Sequence, residues 1–529
     1  MKRYVPFLSC IFALTLVLAV AAVSAQEKPK LGGVLVLAHA DDPAHYDAHQ
    51  TGSFRIAQPT APAYSTLLQF DPKEYPKIIG DLAEKWEISR DGLTYTFKLR
   101  PNVRFHDGSI LTSADVKATM ERIKNPPEGV VSAWSHLLGT LERIETPDDL
   151  KVVFHLSRPT PSFFTHMASP FLHIYSKAML ERDKDYPKKK IMGTGPFKFK
   201  KHVPNVSLEL ERFDDYFIPG RPYMDGVRFA IIRGTQARAA ALISGRADAE
   251  VRSLPPLVVE QIEAAAGDRV RVVKTDWLTI LDLTFNVKKK PFNDVKVRMA
   301  INYAIDAYGM VKALRDIGGI RYIGKWGRPH SEWEMPDDRF QKLPGWGTDA
   351  ESNRKKAREL LKEAGYAGGL RLKLINRNVP YPYISMGVYY IDQLARVGIT
   401  VNHSLVDTST WLSSLRNLGE GEMGIIYNAP PYDDPDAFFG ARMPGSARNF
   451  ARYEDPEVTR LFDLQSRELD PAKRRELVWQ LESSIWEKAY WGVGIWPAKI
   501  YVLSRRINNF IPHPNHFTNV KFQDVWLSQ

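Results

Sequence analysis

The chain has 529 residues, with 72 Lys and Arg against 61 Asp and Glu and a formal net charge of +11. At ~150 residues per domain this length implies two to four domains, and with Cys10 as the only cysteine a disulfide-stapled scaffold is excluded. Charges of both signs are interleaved and the tight basic runs, such as Lys188-Lys189-Lys190 and Lys288-Lys289-Lys290, are only three residues long, which argues for a solvated surface rather than a nucleic-acid or membrane face.

The N-terminus reads as an export signal. Lys2 and Arg3 precede an apolar run from Phe7 to Ala22, and Val23-Ser24-Ala25 offers a small-residue cleavage site. The run is shorter than the ~20 residues of a membrane span, so a cleaved signal over 1–25 is expected. Cys10 lies inside the apolar run, too early for a lipoprotein cysteine. Cleavage leaves 529 − 25 = 504 residues without cysteine and a balance of 70 − 61 = +9, since Lys2 and Arg3 leave with the signal. The full chain's 12 Trp and 22 Tyr supply amphipathic aromatics suited to an organic ligand, as well as to a core.

Beyond the signal, strands and helices alternate irregularly, with no internal repeat, which predicts a mixed α/β protein. "AHADDPAHYDAH" gathers His39, Asp41, Asp42, His45 and His49 in one loop. "GLTYTFKLR" puts Leu93, Tyr95, Phe97 and Leu99 on one face of a strand. Thr112 to Asp115 form a capping box for a helix carrying Val116, Met120 and Ile123. Asn125 to Gly129 is a loop. "GTGPFKF", Gly193 to Phe199, is a tight turn feeding a strand. "DGVRFAIIR" predicts a strand with Val227, Phe229 and Ile231 on one face. Asp294 opens a helix with Val297, Ile301, Ala304, Ile305 and Tyr308 at helical spacing. The Pro- and Gly-rich stretch Gly324 to Gly347 is an irregular connection. The Ala357–Ala364 helix stops at Gly365 in the C′ role, "GLRLKL" is a strand, and Asp470-Pro471 starts a further helix.

Chemistry is tested next. The Gly193-Thr194-Gly195-Pro196 turn lacks the Gly-Lys-Ser/Thr and the following helix of a phosphate loop, and Pro196 removes a donor. No Gly-x-Ser-x-Gly elbow, His-Glu-x-x-His or mature cysteine is present. Asp41-Asp42 and Asp433-Asp434 read as turn or cap residues. The histidine loop, with His513 and His516 as a weaker echo, could bind a transition metal if it folded on itself, but its spacing matches no defined site. A non-enzyme without cofactor or resident metal is expected.

Five stretches, in order, carry a resemblance. They are "LAEKWEISRDGLTYTFKLRPNVRFHDGSILTSADV" (Leu82 to Val116), "GTGPFKF", "ALISGRADAE" (Ala241 to Glu250), "FNVKKKPFNDVKVRMAINYAID" (Phe285 to Asp306), and the Ala357–Gly365 helix with "LARVGITV" (Leu394 to Val401). Together the sequence resembles the oligopeptide/dipeptide/nickel-type solute-binding proteins of bacterial ABC importers, family 5. The resemblance implies an α/β, two-lobed periplasmic-binding-protein fold (type II, cluster C) with an extra domain in the first lobe and a two-strand hinge. The first lobe would comprise 26–66, 192–276 and 502–529, its extra domain 67–191, and the second lobe with hinge segments 277–501. It also implies a periplasmic, monomeric protein that captures a small organic solute between the lobes and passes it to permease subunits with their ATPases, without nucleic acid. A metal-chelate ligand is the alternative within the family, and a secreted hydrolase the alternative outside it.

The resemblance places ligand contacts at His39, Asp41 and His45 after the first strand, at Tyr64, at Trp277 and Asn286, and at Trp411. The loop after "MGIIYN" adds Tyr427, Asn428, Pro431, Tyr432 and Asp433. In peptide binders that loop resembles Trp-x-x-Asp-Tyr-x-Asp-Pro, whose first aspartate meets the peptide's α-ammonium. Anchored on Asp434-Pro435, that position is Pro431; anchored on the preceding strand, it is Asp433. The first alignment is preferred, and it puts ordinary peptides in doubt, because an unpaired buried ammonium costs several kcal/mol.

Overall fold

One strand belongs to both halves of this molecule. Gly494–Ser504 is apolar on both faces and buried over almost its whole length, so it must be covered on both sides. Its second part, Ala498 to Ser504, pairs antiparallel with Val270–Asp276. Its first part pairs with Ile280–Phe285 through Gly494 and Ile495 and with Ile320–Ile323. The chain thus passes from one sheet into another at Pro497-Ala498, and a second time between Asp276 and Ile280. The computed structural model describes residues 28–446, 448–515 and 517–528. The expected signal at 1–25, with Cys10, and His516 lie outside them.

The fold is two-lobed α/β. In the first lobe Val34–His39 pairs in parallel with Gly226–Ile231 and with Ala249. The sheet continues antiparallel through Ser207–Arg212 and Phe197–Val203. In the second, Leu370–Arg377 lies parallel to both Ile399–Val406 and Glu422–Asn428, and Ile280–Phe285 runs antiparallel beside the latter. A separate antiparallel sheet, Ala83–Ile88, Thr94–Leu99, Lys151–Leu156 and Leu141–Asp148, packs with the helix Ser113–Lys124. Its core around Phe97, Phe154, Val116 and Met120 is separate from the cores of the two main sheets, which makes it a distinct unit on the first lobe. No helix among the described residues is long and apolar enough to cross a membrane.

Local signals mostly specify their elements. Thr112 and Asp115 form the reciprocal capping box, Gly365 takes φ +90° after the helix Ala350–Glu363, and Asp470 caps Pro471–Glu487. One expectation is corrected. The helix opened by Asp294 ends at Ala304, and a second helix, Ala307–Gly318, carries Tyr308. Asp306 intervenes: its carboxylate accepts from the Gly309 N–H at 2.7 Å, so an N-cap interrupts a continuous apolar period.

The Gly-Thr-Gly-Pro turn joins the extra domain to the first lobe. A Cβ on Gly193 would lie 2.3 Å from the Ala63 carbonyl oxygen and 2.4 Å from the Tyr64 ring; one on Gly195 would lie 2.5 Å from the Pro62 oxygen. His106, from the extra domain's "FHDG", closes the junction. Its backbone N–H donates to the Gly193 carbonyl at 2.9 Å, and its Nε2 lies 3.0 Å from the Gly195 carbonyl. The glycines therefore serve close backbone approach. Gly193→Ala is expected to destabilise the first lobe by about 1–3 kcal/mol through overpacking, read as a lower urea midpoint with unchanged slope.

Candidate functional site

The carboxyl ends of the parallel strands meet at the gap between the lobes, the usual place for ligand loops in such sheets. From the first lobe come His39 with its loop, and Arg252 just after Ala249–Glu250. From the second come Arg377, ending Leu370–Arg377, and the segment that follows Asn428.

Three arginines stand on aromatic rings there. The Arg252 guanidinium lies 5.1 Å over Phe54 with Nη1 3.3 Å from Asp41 Oδ2. Arg377 lies 5.2 Å over Tyr383 and 5.5 Å over Trp411, its Nε donating to Thr408 Oγ1 at 2.9 Å. Arg448 lies 5.6 Å over Tyr427 and donates to the Tyr427 carbonyl at 3.2 Å. Burial pushes the Tyr383 hydroxyl up to about 12, and the charges of Arg377 and of Arg252, from the other lobe, pull against it. Trp411 and Tyr427 stack at 5.8 Å and 11°, and the Trp411 indole N–H donates to the Ile425 carbonyl at 3.0 Å. These rings are held rigidly beneath the guanidiniums.

The hinge fixes Arg252 from behind. Lys499, buried in the shared strand, donates to the Val251 and Arg252 carbonyls at 2.5 and 3.0 Å and stands 5.5 Å over the Trp277 ring. Burial pulls its ammonium down to about 7, against the opposing pull of Glu250.

The loop after Asn428 spends its acids on structure. Asp433 pairs with Arg328 Nε at 2.6 Å, its side chain only 2% exposed; burial raises its pKa and the guanidinium opposes the rise. Asp434 holds Arg474 through two bonds of 3.0 and 2.9 Å. Asn428 ties the loop's ends by donating to the Phe438 carbonyl at 2.8 Å. Asn515, near the C-terminus, donates to the Pro430 and Pro431 carbonyls at 3.0 and 2.8 Å.

The expected site residues therefore separate. His39, Asp41, Trp277, Trp411, Tyr427 and Pro431 gather at the gap or the hinge. Asn286 ends the far side of Ile280–Phe285, about 20 Å from the Ile280 end at ~3.3 Å per residue, and donates to the Leu418 carbonyl at 3.3 Å. Tyr64 is buried in the first-lobe core, stacked on His173 at 4.8 Å, beside a partly open cavity of about 60 Å³. His45 accepts from the Asp47 N–H at 3.2 Å. The Tyr432 ring lies among the extra domain's core residues. Arg252, Arg377, Tyr383 and Arg448 carry no sequence motif; only Arg252, just after Ala249–Glu250, and Arg377, the last residue of Leu370–Arg377, could have been flagged by a strand end.

The histidine loop forms no metal cage. His39 Nδ1 donates to the Asp41 carbonyl at 2.6 Å, His49 Nε2 to that of His173 at 2.9 Å, and His49 Nδ1 faces Arg122 Nη1 at 3.0 Å. Among the described residues no group of three or more His, Cys, Asp or Glu could hold a metal ion.

Two lobes sharing a strand, with a polar-aromatic gap between them, define the class of hinged solute-binding proteins. The family profile of the bacterial extracellular solute-binding proteins, family 5 (middle region), matches residues 77–449, and the chain belongs to that family. It is 29% identical over 499 residues to the glutathione-binding protein GsiB of Pectobacterium atrosepticum, covering 92% of this chain and 91% of that one. The periplasmic binding protein DppA from Helicobacter pylori, solved with the peptide STSA, superposes with a TM-score of 0.80 at 26% identity, over 94% of this chain and 99% of the other. AgaA from A. tumefaciens R10, solved with agropinic acid, shares the fold with a TM-score of 0.76 at 24% identity, over 94% and 99%. The chain's function is accordingly solute binding, and its family hands small ligands to ABC permeases.

Buried histidines spread through the first lobe and its extra domain link folding stability to pH. Burial lowers His39, His106, His166 and His513 to about 4 and His49 and His173 to about 3. The unfolded chain, with histidines near 6.5, binds more protons below that pH, so folding stability falls as pH drops from about 6.5 toward 4. Each histidine contributes at most about 1.4 kcal/mol per pH unit. Urea midpoints at pH 7 and 5 are expected to differ accordingly, and His173→Gln is expected to flatten the slope.

Proposed function

We propose that this protein, exported to the periplasm by its N-terminal signal and acting as a monomer, captures a small organic carboxylate with a planar or apolar body and passes it unchanged to an ABC permease. The observation that carries the ligand class is the set of Arg252, Arg377 and Arg448, each over an aromatic ring at the gap. Guanidinium donors suit bidentate carboxylate recognition, and rigid rings offer flat apolar contact. The glutathione and peptide named for the relatives also carry carboxylates.

A free α-ammonium is poorly served. Pro431 has no charge to offer, and Asp433 and Asp434 are already paired with Arg328 and Arg474. Drawing Asp433 to a ligand would strand Arg328 in a buried setting at a cost of several kcal/mol. Asp41, on the first lobe's rim, already faces Arg252. A ligand whose amine is acylated or absent fits this arrangement better than an ordinary dipeptide. Lobe closure then excludes water and strengthens each ligand contact.

Native mass spectrometry of protein purified from the periplasm is expected to reveal a bound acid. Arg377→Ala is expected to weaken its binding at least ten-fold in calorimetry, about 1.4 kcal/mol or more. Asp433→Asn, in contrast, should lower the melting temperature while leaving affinity within about three-fold. A free dipeptide binding with micromolar affinity, insensitive to Arg377→Ala, would overturn the reading.

A further inference from the structure

The loop after Asn428 has a second engagement that the ligand reading does not use. Tyr432 is rooted in the second lobe by its neighbours: Asp433 on Arg328 and Asp434 on Arg474. Its ring is nonetheless fully buried in a foreign core. It packs within the extra-domain cluster of Leu137, Phe163, Met167 and Leu172, 5.5 Å from the His166 ring. Its hydroxyl, also buried, has no hydrogen-bond partner.

The flanking residues are held by the extra domain and by the first lobe's C-terminal segment. Asp436 accepts from Ser162 of the extra domain, with Gln465 of the second lobe donating to its other oxygen at 2.6 Å. Pro430 and Pro431 are held through their carbonyls by Asn515. Arg158 of the extra domain donates to Ser466 at 3.1 Å. The loop is therefore clamped to the second lobe by charge and to the extra domain by one ring and one carboxylate.

Burying an aromatic ring outside its own lobe favours whichever lobe arrangement permits it. We infer that Tyr432 is a positioning residue, a knob seated in the extra domain that holds the lobes together, and that it acts on solute capture without touching solute. The extra domain, on this account, supplies the socket. Because the hydroxyl is unpaired, the ring and not the phenol oxygen carries the effect, since an unsatisfied buried polar group contributes nothing favourable. Separation of the lobes must withdraw the ring into water and expose Phe163 and His166 together.

Amide hydrogen exchange of the ligand-free chain tests this directly. In Tyr432→Ala, exchange in segments 160–172 and 432–440 is expected to rise at least ten-fold, while the extra domain's own strand 94–99 keeps its protection. The radius of gyration from solution scattering should increase in the same variant. Tyr432→Phe, which keeps the ring, should match the parent in both measurements. Unchanged exchange and dimensions in Tyr432→Ala would overturn the inference. So would loss of protection spreading to 94–99, which would make Tyr432 an ordinary core residue of the extra domain, or a Tyr432→Phe variant as open as Tyr432→Ala.

Discussion

Everything in this molecule is referred to one strand that two sheets share. Gly494–Ser504 cannot leave either sheet without exposing an apolar face and breaking its ladder to Val270–Asp276 or to Ile280–Phe285. Among the described residues, the two lobes are joined in sequence at Pro497-Ala498 and at the second crossing between Asp276 and Ile280, where rotation would fall. A gap between the lobes is thus built into the connectivity, and its walls are the loops at the strand ends. The shared strand also carries Lys499, which fixes the backbone of Arg252. Hinge and ligand wall are in this way one hydrogen-bonded unit.

Charge at the gap is divided by depth. The acids of the Pro430–Asp436 loop are buried and paired, and low-dielectric surroundings make each pair costly to exchange for a new partner. The arginines nearer the opening rest on rings and bond largely to neutral oxygens, at Thr408, Tyr383 and the Tyr427 carbonyl. A guanidinium in that setting has donors to spare for an incoming anion. The same loop that is closed to an ammonium supplies, in Tyr432, an apolar contact with the extra domain.

The family and its two-lobed α/β fold were legible because they rest on local patterns. "LAEKWEISRDGLTYTFKLRPNVRFHDGSILTSADV" fixes alternation, turn and cap within one stretch, and such signals act over a few residues. The Asp306 cap was just as local, but its apolar neighbours Ile305 and Tyr308 masked it. The ligand gap was legible only as neighbourhoods. His39, Asp41 and Tyr427 lie at strand ends and the motifs lead to them. Arg377 and Arg448 lie on an apolar-looking strand and in a featureless turn, and nothing within ten residues marks them.

The residues by themselves determined most of the strands, helices, caps and turns, the Asp306 cap excepted, and that Gly193 and Gly195 sit in a turn rather than a phosphate cradle. Those choices depend on backbone dihedrals and near neighbours, which sequence carries directly. Only the tertiary structure decided that Asp433 belongs to Arg328, 105 residues away, that Tyr432 is buried in another domain, and that Lys499 holds the backbone of Arg252. Such pairings arise where distant strand ends converge, and electrostatic and apolar partners are chosen there by proximity in space, which no local pattern encodes.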